Sequence, residues 1–145
     1  MARRPVPTWF FALVVVRRGD CFLVVQERRH NQRWYLPAGR VEPGEGLVEG
    51  AVRETLEESR VPVQIEGVLR VEYTPHKAGT RVRVLFVARP LDDTEPGSTD
   101  DSLDARWVTV AQLRALPLRG EEVLRAIEYV AEGGPVYPLS LLTAE

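Results

Sequence analysis

The stretch GRVEPGEGLVEGAVRETLEES, residues 39–59, determines the fold and the chemistry that we predict for this chain. It is rich in carboxylates and contains only two arginines. A solvated helix is stabilised by opposite charges four residues apart, whereas like charges at that spacing repel each other. Glu54, Glu57 and Glu58 stand three and four residues apart, so this stretch needs an explanation other than helix stability.

The pattern predicts a helix over residues 46–59, preceded by a turn rich in glycine and proline. On a helical wheel the three glutamates project together from one side. Another side is predicted to pack on a sheet. That side comprises Val48, Ala51, Val52, Thr55 and Leu56.

Three carboxylates that converge from one rigid turn form a suitable oxygen cage for Mg²⁺ or Mn²⁺. The alternative is a solvated acidic face, which is common on helices. Two features favour the cage. Arg53 lies one turn from Glu49 and from Glu57, and can orient one carboxylate without neutralising all three. Gly39 and Gly44 have no Cβ atom, so backbone can approach the same spot.

The stretch resembles the Nudix box, in which five residues separate a glycine from a glutamate and seven more precede Arg-Glu-x-x-Glu-Glu. The matching positions here are Gly39, Glu45, Arg53, Glu54, Glu57 and Glu58. The chain departs from the family after the helix, where Arg60 replaces the usual glycine. Arg60 must therefore adopt a left-handed conformation or end the helix in another way.

The resemblance implies an α/β fold, a Nudix-type α/β/α sandwich around a mixed sheet, with residues 1–145 as a single domain. Sequence patterns predict strands before and after the box and a second helix near the carboxyl end. The predicted elements are strands at 9–17, 21–27, within WYLPAG, at 64–73, at 80–89 and in ARWVTV, a helical turn in AQLRAL and a helix ending at Gly133-Gly134.

The resemblance also implies a reaction, which is the hydrolysis of a nucleoside diphosphate linked to a further group, with Mg²⁺ or Mn²⁺ as cofactor. Glu54, Glu57 and Glu58 are the implied metal ligands, with the Gly39 carbonyl as a further one. Which carboxylate takes the proton from water is left open. Glu45 and Arg53 are expected to brace the turn against the helix through a charge-assisted hydrogen bond.

Other candidates lie outside the box. The acidic loop before Trp107 offers further metal ligands, namely Asp101 and Asp104, although such a loop is also consistent with plain solvation. Strand arginines are candidates for binding phosphates, and strand aromatics for stacking on a base. These substrate-binding candidates are Arg40, Arg81, Arg83, Trp9 and Phe11. The alternative reading is that the arginines are solvated and the aromatics belong to the core.

Softer motifs concern the substrate. The stretches WYLPAGR and FVARP are similar to the branch that hydrolyses oxidised guanine nucleoside diphosphates. A nucleotide sugar, a dinucleoside polyphosphate and a capped RNA end remain alternatives. A non-catalytic module that senses nucleotides is a further alternative, which the presence of all three glutamates disfavours.

Composition limits the kinds of partner and location that we expect for the chain. The net charge is −2 and 44% of the residues are hydrophobic, which gives no general attraction to duplex nucleic acid or to a membrane. The longest apolar run, Trp9–Val16, is too short to cross a bilayer. The start of the chain does not match a secretory signal. We therefore expect a cytoplasmic protein with a small-molecule nucleotide as partner, and a homodimer is compatible with the sequence.

Overall fold

The computed structural model describes residues 2–144. Its strands are β1 (Thr8–Arg18), β2 (Cys21–Glu27), β3 (Trp34–Tyr35), β4 (Ala38–Arg40), β5 (Val63–His76), β6 (Gly79–Pro90) and β7 (Ser102–Val108). Its helices are α1 (Leu47–Ser59), α2 (Val110–Arg114) and α3 (Glu121–Ala131), with short 3₁₀ turns at His30–Gln32 and Leu139–Leu141. The α/β class is confirmed.

The seven strands form one mixed sheet. Its main path runs β3-β2-β1-β6-β5, while β4 pairs with β1 and β7 pairs with β2. Strands β1 and β6 are parallel along nine paired residues, and the other pairs are antiparallel. The short β4 lies beside β1 at Phe11–Leu13, which brings the first residues of the box to the centre of the sheet.

Alternation along β1 produces two cores. Ala12 and Val14 face the side that α1 covers, where they share a cluster with Ala51. Leu13 and Val15 face the opposite side, where they pack with Val123 and Ile127 of α3. Because side chains on a strand point alternately to its two faces, this pattern is what a sheet buried on both sides requires. The α/β/α sandwich is confirmed.

Helix α1 meets the sheet through small residues. Ala51, Thr55 and Ser59 are fully buried, and the two hydroxyls donate to carbonyls four residues earlier in the helix. These internal bonds satisfy the buried hydroxyls. The prediction that Leu56 packs on the sheet is wrong, because its side chain is 47% exposed. The buried side of α1 is rotated away from Leu56, toward Ser59.

Arg60 adopts the first of the two alternatives that its position allowed. It has φ 73° and ψ −4°, and its N–H donates to the Leu56 carbonyl. This is the left-handed helix stop that glycine usually supplies.

Element bounds differ from the predicted ones in three places. WYLPAG forms two short strands, β3 and β4, separated by Leu36 and Pro37. The β5–β6 hairpin extends to His76 and Gly79, so only two residues connect the strands rather than five. β7 begins at Ser102, before the stretch that predicted it. Within residues 2–144, no helix has the length and apolarity needed to span a membrane.

Candidate active site

The turn and the helix of the box meet at β4. A Cβ atom on Gly39 would overlap the carboxylate of Glu54, so only glycine lets this side chain lie against the strand. One turn further along the helix, Oε1 of Glu58 accepts a hydrogen bond of 2.7 Å from the Ala38 N–H. Two glutamates of α1 therefore lie against consecutive backbone positions of β4.

Burial disfavours the ionised form of both carboxyl groups. Burial raises the pKa of Glu58 from 4.5 to about 8, although the Ala38 hydrogen bond opposes the rise. The charges of Glu54, Glu27 and Asp101 add to it. Burial also raises the pKa of Glu54, against the opposing influence of Arg53. A group of carboxylates that hold their protons this strongly is a favourable place for a cation.

The expected pair between Glu45 and Arg53 is present. Nε of Arg53 donates to Oε2 of Glu45 over 2.6 Å, and Nη2 donates to Oε1 over 2.9 Å. This bidentate bond lowers the pKa of Glu45 to about 2. Nη2 also donates to the Arg40 carbonyl over 3.0 Å. Arg53 therefore ties the turn after β4 to α1.

Arg53 also binds two of the three predicted metal ligands. Its Nη1 donates to Glu54 over 2.8 Å and to Glu57 over 3.2 Å. Glu57 points outward, with 45% of its side chain exposed. In the described part of the chain, residues 2–144, no group of three His, Cys, Asp or Glu side chains lies close enough together to hold a metal ion. The convergent cage that the helical wheel suggested is not formed, and the metal assignment stays a prediction.

The acidic loop supplies one of its two candidates. Asp101 lines a cavity of about 320 Å³ together with Glu58 and Glu27. Asp104 is placed differently, because its Oδ2 accepts from Nε of Arg106 over 2.9 Å and its Oδ1 accepts from the Ala105 N–H. The structure brings Asp101 to the carboxylates of α1 and does not bring Asp104 there.

A second cavity, of about 340 Å³, opens beside Gly39 and Ala38. We call it the β4 cavity; its lining is Phe11, Leu13, His30, Tyr35, Ala38, Gly39, Arg81, Arg83 and Arg119. The Nε atom of Arg81 is buried and has no hydrogen-bond partner among the described residues. An unpaired guanidinium nitrogen is costly to bury, and the Arg81 side chain lines the cavity, which favours an anionic ligand there.

The remaining substrate-binding candidates have separate environments. Arg83 lines the β4 cavity but is bound by Glu72 over 2.7 and 3.0 Å and contacts the Tyr35 hydroxyl. Phe11 lines the same cavity and packs against the core. Arg40 and Trp9 line a different depression, together with Glu45. Of the five candidates, three therefore share one cavity.

Sequence reasoning missed several residues of this region. Ala38 acts through its backbone N–H, which no side-chain pattern reveals. Tyr35 and Arg119 stack, with 4.7 Å between the guanidinium carbon and the ring centre. His30 lines both cavities, and the only available signal was its place in a polar loop before WYLPAG.

The sequence was compared with models of known protein families. The sequence profile of the NUDIX domain matches residues 9–128. The chain belongs to the NUDIX family, as the resemblance implied.

The chain is similar in sequence to two characterised groups of family members. The chain is 36% identical over 124 residues to human 8-oxo-dGDP phosphatase NUDT18, an alignment that spans 82% of this chain and 37% of that protein. It is 34% identical over 117 residues to the NAD-capped RNA hydrolase NudC of Pectobacterium carotovorum, covering 80% of this chain and 44% of that one. The chain thus spans less than half of either relative.

The fold has solved counterparts. A NUDIX hydrolase from Nitrosomonas europaea superimposes with a TM-score of 0.81 at 25% identity, covering 96% of this chain and 98% of that one. The near-complete coverage agrees with the predicted order of elements along the whole chain.

Proposed function

We propose that this protein is a pyrophosphohydrolase that cleaves the diphosphate linkage of a nucleoside diphosphate derivative by attack of water on phosphorus. The observation that carries the proposal is the position of Gly39. One side of this residue meets the Glu54 carboxylate, and the residue also lines the β4 cavity together with Arg81, whose Nε has no partner among the described residues. The acidic cluster and the β4 cavity thus share one strand.

The donor set fits Mg²⁺ or Mn²⁺. Both ions prefer carboxylate oxygens, and the pKa of Glu58 is raised by burial and by neighbouring carboxylates, so a bound cation would stabilise its ionised form. We assign Glu54, Glu57 and Glu58 as the ligands, with the Gly39 carbonyl. Glu54 and Glu57 would exchange part of their contact with Arg53 for the ion. The bound metal would neutralise phosphate oxygens and the leaving group.

Other residues of the chain bind the substrate, position the turn and accept the proton of water. Arg81 binds the phosphate next to the nucleoside, since its side chain lines the β4 cavity and its Nε has no hydrogen-bond partner among the described residues. Phe11 and Leu13 supply apolar surface on the same side. Arg53 and Glu45 hold the turn that positions the Gly39 carbonyl. A carboxylate of the cluster accepts the proton of the attacking water.

We propose an oxidised guanine nucleoside diphosphate as the substrate. The support is the 36% identity to human NUDT18, whose name describes an 8-oxo-dGDP phosphatase. The stretches WYLPAGR and FVARP pointed to the same branch. On this proposal the reaction releases a nucleoside monophosphate and orthophosphate.

A second candidate is the diphosphate of an NAD-capped RNA end. The support is the 34% identity to the NudC hydrolase of Pectobacterium carotovorum. Both candidates place a diphosphate between Arg81 and the α1 glutamates. They differ in the group attached beyond the second phosphate, which is hydrogen in one case and a nucleoside in the other.

A substrate panel separates these candidates. Purified protein with Mg²⁺ is offered 8-oxo-dGDP, dGDP, 8-oxo-dGTP, NAD and NAD-capped RNA, and released orthophosphate, pyrophosphate and nucleotides are quantified. We expect the highest kcat/KM with 8-oxo-dGDP and orthophosphate as product. Preference for the NAD substrates would favour the second candidate. No turnover on any member would reject both candidate substrates.

A further inference from the structure

The loop between β2 and β3, residues 28–33, borders the site and has no role in the reaction as proposed so far. Its residues His30, Asn31 and Gln32 have φ values of 56°, 60° and 56°. Left-handed conformations are unfavourable for residues other than glycine and occur singly rather than in runs. Strained backbone of this kind is concentrated at functional sites. The strain therefore indicates a functional role for this loop.

The loop is fixed to the acidic loop that carries Asp101. The Arg28 guanidinium donates to the carbonyls of Thr99, Asp100 and Ser102 over 2.8, 3.0 and 3.3 Å. At the other end, Nε2 of Gln26 donates to the Gln32 carbonyl over 3.1 Å. These bonds hold the strained segment in one position relative to the carboxylates.

His30 is the residue that the two cavities share. It lines the β4 cavity, with Gly39 and Arg81. It also lines the cavity of about 320 Å³ that contains Glu58 and Asp101. A diphosphate that extends from the β4 cavity to Glu58 and Asp101 therefore passes next to this side chain.

The imidazole is available for such a contact. Its side chain is 49% exposed, and its Nε2 lies 3.7 Å from Glu27 Oε2, beyond hydrogen-bond distance. Glu27 is instead bound by Arg119, at 3.1 and 3.2 Å. An imidazole N–H is a good donor to a phosphate oxygen.

We propose that His30 binds the diphosphate of the substrate at the junction of the two cavities, as a substrate-binding residue supplied by the strained 28–33 loop. This inference rests on the proposed function, because it requires a diphosphate to span the site. The contact is made to a nonbridging oxygen that is present before and during the reaction. It therefore contributes to substrate affinity, and its loss raises KM more than it lowers kcat.

Binding measurements test this directly. The probes are guanosine and guanosine 5′-(α,β-methylene)diphosphate with Mg²⁺, the second of which cannot be cleaved between its phosphorus atoms. In His30→Ala we expect about tenfold weaker binding of the diphosphate, the usual size for one hydrogen bond to a charged group. Guanosine binding should be unchanged. His30→Gln, which keeps an N–H donor, should recover part of the loss.

Arg33→Ala is the matched control. Arg33 is an exposed basic residue of the same loop and lines neither cavity, so its loss removes positive charge without removing the proposed contact. We expect wild-type affinity for both probes. An equal loss in Arg33→Ala and His30→Ala would show a general charge effect and would overturn the proposal. Equal weakening of guanosine and of the diphosphate by His30→Ala would overturn it too.

The inference and the proposed function can fail separately. If the wild type turns over the panel and His30→Ala has an unchanged KM, the inference is wrong and the function stands. If no panel member is hydrolysed but His30→Ala still weakens the diphosphate selectively, both proposed substrates are wrong and the binding role of His30 stands. Thermal unfolding of each variant verifies that the fold is retained.

Discussion

The N–H of Ala38 donates a 2.7 Å hydrogen bond to Oε1 of Glu58, joining the first residue of β4 to the last turn of α1. This bond favours the ionised carboxylate, but burial outweighs it and the pKa of Glu58 rises to about 8. The site therefore holds a carboxyl group whose charge is unfavourable in the metal-free protein. The raised pKa of Glu58 is therefore expected to affect stability as well as catalysis.

The first prediction concerns the pH dependence of the metal-free protein. A folded-state pKa above the unfolded value means that the folded state binds the proton more tightly, so the unfolding free energy falls as pH rises from 4.5 to about 8. The loss is on the order of a few kcal/mol, at about 1.4 kcal/mol per pKa unit. Glu58→Gln should remove most of it, as measured by urea unfolding at pH 5.5 and 8.

The pKa shifts of Glu45 and Glu54 do not reverse the predicted fall of the unfolding free energy as pH rises. The pKa of Glu45 is lowered to about 2, so its stabilisation is lost only as pH falls below 4.5, outside the measured window. The pKa of Glu54 is raised, which acts in the same direction as Glu58. Parallel pH profiles for the wild type and Glu58→Gln would mean that Glu58 is not perturbed as described.

The second prediction concerns Gly39→Ala. The new methyl group would overlap the end of the Glu54 side chain, which is flexible enough to move aside. We expect a small change in the melting temperature and a fall in kcat of about 10²-fold, because misplacement by about 1 Å is enough for such a loss. Gly97→Ala is the control, since its Cβ would meet only the Arg60 side chain, at 3.4 Å. Equal effects of both substitutions would refute the role of Gly39.

The third prediction separates bracing from substrate contact at Arg53. Arg53→Ala should lower kcat and metal affinity with little change in KM, because the turn that positions the Gly39 carbonyl loses its bonds from Arg53 to Glu45 and to the Arg40 carbonyl. Glu45→Gln should act in the same direction but more weakly, since it removes one of these contacts. The double variant should be little worse than Arg53→Ala alone. A sharp rise in KM at constant kcat would instead assign Arg53 to phosphate binding.

The fourth prediction concerns the glutamates themselves. Glu57→Gln and Glu58→Gln should each lower kcat by about 10²-fold or more, because a neutral amide is a weak ligand for Mg²⁺. Glu49→Gln is the matched control, being an exposed glutamate in the first turn of the same helix. Steady-state kinetics on the best panel substrate measures all three. Near-wild-type rates in the first two variants would place the metal elsewhere.

Much of the fold could be predicted from periodicity and turn residues. The predicted strands at 9–17 and 21–27 and the predicted helix over residues 46–59 agree with the structure to within one residue at each end, because local sequence pattern is the main signal for such elements. The sequence left two conformations open for Arg60, a left-handed one or another way to end the helix. The structure adopts the left-handed one. The exposed Leu56 was missed, because the wheel cannot tell that hydroxyl residues such as Ser59 take the buried side.

The site was less predictable than the fold, for reasons of three-dimensional placement. Spacing identified Glu45 and Arg53 as partners, but it could not show that Arg53 also binds Glu54 and Glu57. Asp104 and Asp101 are equivalent in the sequence of the acidic loop. In the structure Asp101 lies before β7, beside Glu58, whereas Asp104 lies within β7, where Arg106 binds it. No linear pattern distinguishes such contacts.

The most direct test of the central claim is metal dependence of turnover on the best substrate of the panel. Protein stripped with EDTA and then dialysed should be inactive, and Mg²⁺ or Mn²⁺ should restore activity in a saturable manner. Titration of the same ions into Glu57→Gln should require a higher concentration for half-maximal activity. Full turnover by the metal-stripped wild-type protein would contradict the account.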